Sequence, residues 1–376
     1  MTIKGYFGLG ARTFGNPLGA TAGNGRSSFG PGGGAGGQPG GGGSGGNNPA
    51  FLNNFFRKGA GAYIATVESD GVHVTQATVR AAGSANGLAT ATNRAISQLS
   101  GSGLGALGIF FANGCYVVGD ASHQVATSAD FVTWHLTNWA TGDFALTALA
   151  AYDDAHNSLI VGSTTVGTSA STLFIGTPAA NVVWNGIGLP PIFTNFISAI
   201  ACRPGTGVAL AIDLDGKVGQ STDGGLTWAL VHDFGVSSAY SLAYGSTGWI
   251  AVQAAGGGGT TAEVFRSTDD GATWSVPVAV NIAFSSENAF GTDGAGNCFM
   301  ISGAAGADNY AISSNDGVSW SIPNNTNNGG WLCKNAYFDS ATSLQLNLFD
   351  PTQTTSFMVS SADGGSNLTF GTAVVT

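Results

Sequence analysis

The chain has 376 residues, 9% of them charged, with 61 glycines and a formal net charge of −10. So little charge with so much glycine excludes coiled coils and helical bundles and favours many short strands joined by tight turns. The few Lys and Arg are scattered, leaving no basic stripe to neutralise phosphates, and nucleic acid is excluded as a partner.

Met1 to Gly10 lacks the charged-then-apolar pattern of a signal peptide, and no apolar run approaches the roughly 18 residues that a membrane helix needs. The expectation is a chain made in cytoplasm without a signal peptide and without membrane insertion. Residues 1–29 spread Ile3, Tyr6, Phe7, Leu9, Phe14 and Leu18 among glycines, which reads as an extended arm that docks apolar side chains into another protein. Residues 30–50 read as a linker: positions 30–46 hold 12 glycines in 17 with no Gly-X-Y period, too little apolar area to offset ordering entropy. The folded domain is expected over 51–376.

Its first part is a hairpin over 63–79, expected to supply the outer two strands of a first blade whose inner strands come from 48–58 or elsewhere. Residues 81–105 then form an insert, with helical character over 88–99. Gly103, Gly105 and Gly108 match GxGxxG, but they precede a strand instead of opening a helix, so the dinucleotide reading fails its context.

From residue 108 onward the chain repeats. Ser221-Thr-Asp223-Gly-Gly225-Leu-Thr227-Trp228 recurs 46 residues later as Ser267-Thr-Asp269-Asp-Gly271-Ala-Thr273-Trp274. Ser313, Asn315, Gly317, Ser319 and Trp320 follow after another 46, and Ser361, Asp363 and Gly365 after a further 48. Upstream, Ser128, Asp130, Thr133 and Trp134 form a copy shortened by one residue, and Trp184 marks one whose preceding turn has decayed. A seventh, Glu68 to Val74, carries Val74 where tryptophan belongs.

Each repeat shares one grammar. In the one beginning at Ala199, strands are expected over 199–203, 208–213, 217–222 and 227–234, separated by Pro204-Gly205, Asp215-Gly216 and the repeated motif, which supply turn residues. The same four strands can be read over 108–136, 145–184, 240–280, 288–323 and 335–375. Four-stranded units of this period are the blades of a β-propeller, an all-β fold whose ring closure removes exposed sheet edges. Seven blades are preferred to six.

Ser-x-Asp-x-Gly-x-Thr-Trp resembles the Asp-box, or bacterial neuraminidase repeat, of sialidases, many secreted propellers and phage structural proteins. The resemblance spans roughly residues 61–376 and implies a propeller with the boxes on its outer hairpins, away from the axis where sialidases do chemistry. Read from the residues, the Asp carboxylate can accept hydrogen bonds from its own turn, the glycine permits positive φ, and the tryptophan packs on neighbouring strands. All of that is local, so the boxes read as turn staples and not as calcium or ligand sites.

The sialidase likeness demands a test, because that reaction needs an arginine triad, an Arg-Ile-Pro motif, a Tyr/Glu nucleophile pair and an acid/base aspartate. No Arg-Ile-Pro occurs, and the repeat region offers only Arg80, Arg94, Arg203 and Arg266. Asp153, Asp154, Asp213, Asp215 and Asp293 can be nominated for other glycosidases, but all fall in predicted turns, where Asp belongs for its own reasons. The histidines His73, His123, His135, His156 and His232 are dispersed, without a partner Ser or Cys at a recognisable elbow. Cys115, Cys202, Cys298 and Cys333 have no metal-ligand spacing and read as buried thiols.

No catalytic, cofactor or metal site is therefore expected. The expected function is that of a non-enzymatic structural protein of a bacteriophage virion, tail- or capsid-associated, held to other virion proteins through residues 1–50 and displaying its propeller. Two alternatives stand beside it: a carbohydrate- or receptor-binding propeller for host attachment, and a sialidase-like glycoside hydrolase. For the first of these, Trp139, Trp249 and Trp331, outside the boxes, are candidate contacts to host surface glycans, against the reading that they fill gaps between blades.

Overall fold

The computed structural model describes residues 51–58, 62–68, 76–100, 106–120, 124–138, 144–165, 171–195, 197–254, 261–282, 290–301, 310–323, 332–340, 342–349 and 356–374. The expected arm and linker of residues 1–50 lie outside them.

Seven antiparallel sheets follow one another along the chain, six of four strands and one of three, each in sequential order. Blade 1 comprises Phe51–Lys58, Ala62–Glu68, Gln76–Ala82 and Arg94–Ser100. Blades 2 to 5 run from Ala106 to Asn138, Phe144 to Gly188, Ile197 to Asp233 and Tyr240 to Val280. Blade 6 has Phe290–Thr292, Cys298–Ile301 and Tyr310–Ser313, extended by a single bridge between Ile312 and Ser321. Blade 7 runs from Leu332 to Ala373. The first strand of each blade lies against the first strand of the next, and that of blade 7 against that of blade 1, so the ring is closed. Seven blades, the preferred count, is the architecture.

Among the described residues no strand is shared between the ends of the chain: blade 1 and blade 7 each take their four strands from one stretch of sequence. Antiparallel order then sorts the connections by face. Each first strand starts on the face that carries the second-to-third turns and the inter-blade linkers, called here the linker face. The first-to-second and third-to-fourth turns lie on the opposite, repeat-turn face.

The repeats were placed well. In blade 4 the strands are Ile197–Arg203, Val208–Asp213, Lys217–Ser221 and Ala229–Asp233, each within two residues of expectation. Blade 1 differs. The 63–79 hairpin supplies its middle strands, not its outer two, and the outer strand, Arg94–Ser100, comes from the expected insert. Helical character over 88–99 reduces to one 3₁₀ turn, Asn86–Ala89. Pairing of Arg94 and Ala95 with Val79 and Thr78, and complete burial of Ile96, outweigh local helix propensity there. Residues 69–74 of the Glu68–Val74 copy lie outside the described residues; in chain order the copy comes between the second and third strands, whereas the other copies come between third and fourth.

The core sits between blades. Ile64, Val79 and Ile96 of blade 1 cluster with Ile109, Tyr116 and Val118 of blade 2. Val117 and Val125 of blade 2 meet Leu159 and Val161 of blade 3. Phe299, Ile301 and Tyr310 of blade 6 meet Leu344, Leu346 and Val359 of blade 7. Alternation along each strand gives both faces of a sheet apolar side chains, which only flanking sheets can bury. Cys115 and Cys298 are buried as expected, and burial pushes the Cys298 thiol up to about 12. Cys202 is half-buried, and the side chain of Cys333 lies outside the described residues.

Candidate functional site

Four copies of the repeated turn share one hydrogen-bond pattern. The serine hydroxyl takes the amide N–H four residues on and donates to the residue-three side chain: Gly225 N to Ser221 Oγ is 2.9 Å, and Ser221 Oγ to Asp223 Oδ1 is 2.9 Å. That carboxylate then receives the Thr227 amide at 2.9 Å and the Thr227 hydroxyl at 2.5 Å. Ser267, Asp269, Gly271 and Thr273 repeat this within 0.1 Å. Asn315 substitutes for Asp, accepting from Ser319 N through Oδ1 and donating to Ser319 Oγ at 2.8 Å. At Asp363 the partner is Asn367, through N and Nδ2. Trp228, Trp274 and Trp320 each donate Nε1 to the carbonyl of the turn glycine at 2.8, 3.0 and 3.1 Å.

These contacts fix the protonation of the carboxylates. Hydrogen bonds from the Thr273 side chain and amide hold Asp269 down at about 2, and bonds from Ser361 and Asn367 do the same for Asp363. Asp223 is lowered as well: burial opposes the shift, and donors from Thr227 and Ser221 outweigh it. In the shortened copy, deletion of one residue moves the serine's acceptor role onto Phe131 N, 3.0 Å from Ser128 Oγ, with Phe131 itself at φ 63°. Phe131 packs edge-on to Trp134 at 5.7 Å, so a buried aromatic takes the place of the glycine.

The expectation that these turns act only locally needs correcting. At Gly225 (φ 90°) a Cβ would stand 2.9 Å from Ile160 of blade 3, and at Gly271 (φ 87°) 2.8 Å from Leu210 of blade 4. Each glycine is therefore the contact point with the preceding blade, in addition to a turn residue. The fourth position goes further. Asp316 (φ 55°), nearly fully buried, reaches into the first turn of blade 5 and accepts from Ser246 N (2.8 Å), Ser246 Oγ (2.5 Å), Thr247 N (3.1 Å) and Thr247 Oγ1 (2.8 Å). Asp270 (φ 54°) receives Arg203 Nη1 of blade 4 at 3.0 and 3.1 Å and Trp249 Nε1 at 3.0 Å, while Arg203 also lies over the Tyr244 ring at 5.4 Å. Sequence reasoning missed both aspartates. The signal was present: the other copies carry Gly224 and Gly364 there, and a non-glycine at a position needing positive φ has a reason to be there.

Trp249 is thus a correction too. It is completely buried between its hydrogen bond to Asp270 and an edge-on contact with Tyr244 at 5.2 Å, so it fills a gap and offers no face to a sugar. Trp139 and Trp331 lie outside the described residues.

Of the nominated carboxylates, Asp154, Asp215 and Asp293 lie in turns, whereas Asp153 and Asp213 are the last residues of the strands that lead into them; all five are engaged. On the repeat-turn face, Asp153 accepts from Ala155 N (3.0 Å) and contacts His156 Nδ1 (2.6 Å), Asp154 takes Gly205 N of blade 4 (2.7 Å), and Asp293 takes Ala295 N (2.8 Å) and Asn297 Nδ2 (2.6 Å). On the linker face, Asp213 and Asp215 share the second-to-third turn of blade 4. Asp213, completely buried, receives Thr194 N, Asp215 N and Lys217 N at 2.9–3.0 Å, yet desolvation still pushes its carboxyl up. Asp215 gathers Thr194 Oγ1 (2.9 Å), Asn195 Nδ2 (3.1 Å) and Ser237 Oγ (3.1 Å), and these donors lower it against the effect of burial. The two carboxyls are shifted in opposite directions, as in a pair built for acid/base chemistry. Its ligands, however, are the two linkers that enter and leave blade 4. Among the described residues no group of three or more His, Cys, Asp or Glu could hold a metal ion, and no helix is long and apolar enough to cross a membrane.

No protein-family model matches the chain, and no curated protein matches it. Among solved structures it is similar to YCF48 from Cyanidioschyzon merolae, at 13% identity and a TM-score of 0.48 over 70% of this chain and 83% of that one. It is also similar to YCF48 bound to a D1 peptide, at 13% identity and a TM-score of 0.49 over 70% and 80% of the two chains.

Proposed function

We propose that this chain is a non-enzymatic structural protein that holds a seven-bladed propeller on a larger assembly, and in finer terms a tail- or capsid-associated protein of a bacteriophage virion. The observation that carries the reading is the fate of the carboxylates. Asp153, Asp154, Asp213, Asp215 and Asp293 give their oxygens to turn amides, to linkers and to the neighbouring blade. A glycosidase needs two carboxyls facing substrate across a cleft, and these are taken up by turns, linkers and the adjoining blade. The likeness of the repeated turns to those of phage structural proteins supplies the particle. The composition of residues 1–50, apolar side chains strung along glycine, supplies a tether that joins other virion proteins.

Mass spectrometry and immunogold labelling of particles purified from the source lysate test this. The chain is expected in intact virions at a fixed copy number, and recovery only in the unassembled fraction would overturn the assignment. Incubation of the full-length chain with sialosides and host polysaccharides gives the second arm. Turnover that Asp213→Asn or Asp215→Asn abolishes would replace the structural reading with the hydrolase.

A further inference from the structure

Six of the seven seams between blades are crossed by the chain itself; the seam between blades 7 and 1 is not. Blade 1, like blade 3, has a third-to-fourth connection that departs from the repeated turn. In its place residues 83–93 form an insert around the 3₁₀ turn Asn86–Ala89. Its inner side is fixed to blade 1: Arg80, 1% exposed, donates Nη1 to the carbonyls of Leu88 (3.0 Å) and Ala89 (2.9 Å) and Nε to Asn93 Oδ1 (2.6 Å). Gly87 N is held by Ser84 Oγ at 3.0 Å. Burial lowers the Arg80 guanidinium to about 10, which leaves it charged at neutral pH and bound to the carbonyls that end the turn.

Its outer side grips blade 7. The Asn86 amide meets Thr372 twice, accepting from Thr372 N at 2.7 Å and donating to Thr372 Oγ1 at 3.0 Å. A Cβ at Gly371 would collide with that amide, so the outer strand of blade 7 is shaped to admit it. Beneath, Leu88 and Ala89 are buried with Tyr63, Ala65 and Val67 of blade 1 and Tyr337, Met358 and Val374 of blade 7. Tyr63 donates to Asp339 of blade 7 at 2.6 Å.

We infer that residues 83–93 are a strap that closes the ring on blade 7, and that this seam is where the propeller opens first. An insert anchored by a buried arginine on one blade and by a two-point amide contact on the next does the work that chain connectivity does elsewhere. Its hydrogen bonds to Thr372 are solvent-exposed, whereas the covalent linkers cannot dissociate, so thermal opening concentrates at the strap.

Hydrogen exchange followed by mass spectrometry on the full chain tests this. In the unaltered protein, peptides over 83–93 and Thr369–Ala373 are expected to exchange ahead of those over Val208–Asp213 and Trp249–Gln253. Asn86→Ala removes both contacts to Thr372 and should raise exchange at the two seam peptides about tenfold, leaving blades 4 and 5 unchanged. Thr372→Val, which deletes only the hydroxyl, should give the same pattern at smaller amplitude and serves if Asn86→Ala does not fold. Equal exchange at seam and centre in the unaltered protein, or a uniform rise across all blades in either variant, would overturn the inference.

Discussion

The seam between blades 5 and 6 and the seam between blades 7 and 1 solve one problem with opposite means. At the first, the chain runs across and Asp316, a buried charge, receives four donors from the neighbouring turn. At the second, no chain crosses, and an insert uses neutral contacts between an asparagine and a threonine over a small apolar patch, beside a single tyrosine–carboxylate bond from Tyr63 to Asp339. Buried charge with full hydrogen bonding is costly to disturb, whereas exposed neutral contacts exchange readily with water. Given the inferred strap, the connected junction at Asp316 resists opening and the unconnected one at Asn86 yields first.

The comparison predicts a ranked set of outcomes. Asp316→Ala leaves the Ser246 and Thr247 donors without their acceptor and should cost about 3–4 kcal/mol in denaturant unfolding. A loss below about 1 kcal/mol would erase the contrast between the two seams. Gly271→Ala forces a Cβ against Leu210 at a positive φ and should cost about 3 kcal/mol, while Gly114→Ala, at φ 80° with open space around it, should cost about 1 kcal/mol. Equal losses would mean that φ alone matters and that the turn glycine is no contact between blades. At the other seam, Tyr63→Phe removes the bond to Asp339 and should cost about 1 kcal/mol, no more than Gly114→Ala.

Acid provides a test across all the repeated turns. Asp223, Asp269 and Asp363 are held below the usual carboxylate range, so the unfolded chain binds protons there before the folded one. Their stabilisation is intact above about pH 4 and is lost as pH falls toward about 2, where folded Asp269 and Asp363 titrate. Asp213, pushed up by burial, runs the other way, and its cost is relieved as pH falls toward about 4, before the turn carboxylates titrate. The melting temperature should fall between pH 4 and pH 2, and Asp269→Asn should flatten that fall, since an amide has no proton to take up. An Asp269→Asn melting curve parallel to the parent's would remove the turn carboxylates from the account.

What the sequence disclosed depended on how local the physics is. The turn at Ser221–Trp228 closes on itself, so its residues carry their own structural reason, and strand limits in blade 4 followed from it. Blade 1 has no such turn, and its outer strand is decided by pairing with Gln76–Ala82 and burial of Ile96 against blade 2, which no local pattern announces. Trp249 misled for a related reason. An indole outside the repeated motif looks available to a ligand, but its N–H partner, Asp270, sits 21 residues away on the adjoining strand connection. The asparagine that closes the ring finds its partner 286 residues away, beyond the reach of any spacing argument.

Because no strand is exchanged, every blade is a single uninterrupted run of sequence, and the boundaries between blades coincide with linkers. A gene encoding such a ring can duplicate or delete one repeat without tearing any sheet, and what must fit anew is the junction so created, where contacts such as those of Asp316 with Ser246 and Thr247 or of Asp270 with Arg203 have to be matched by the new neighbour.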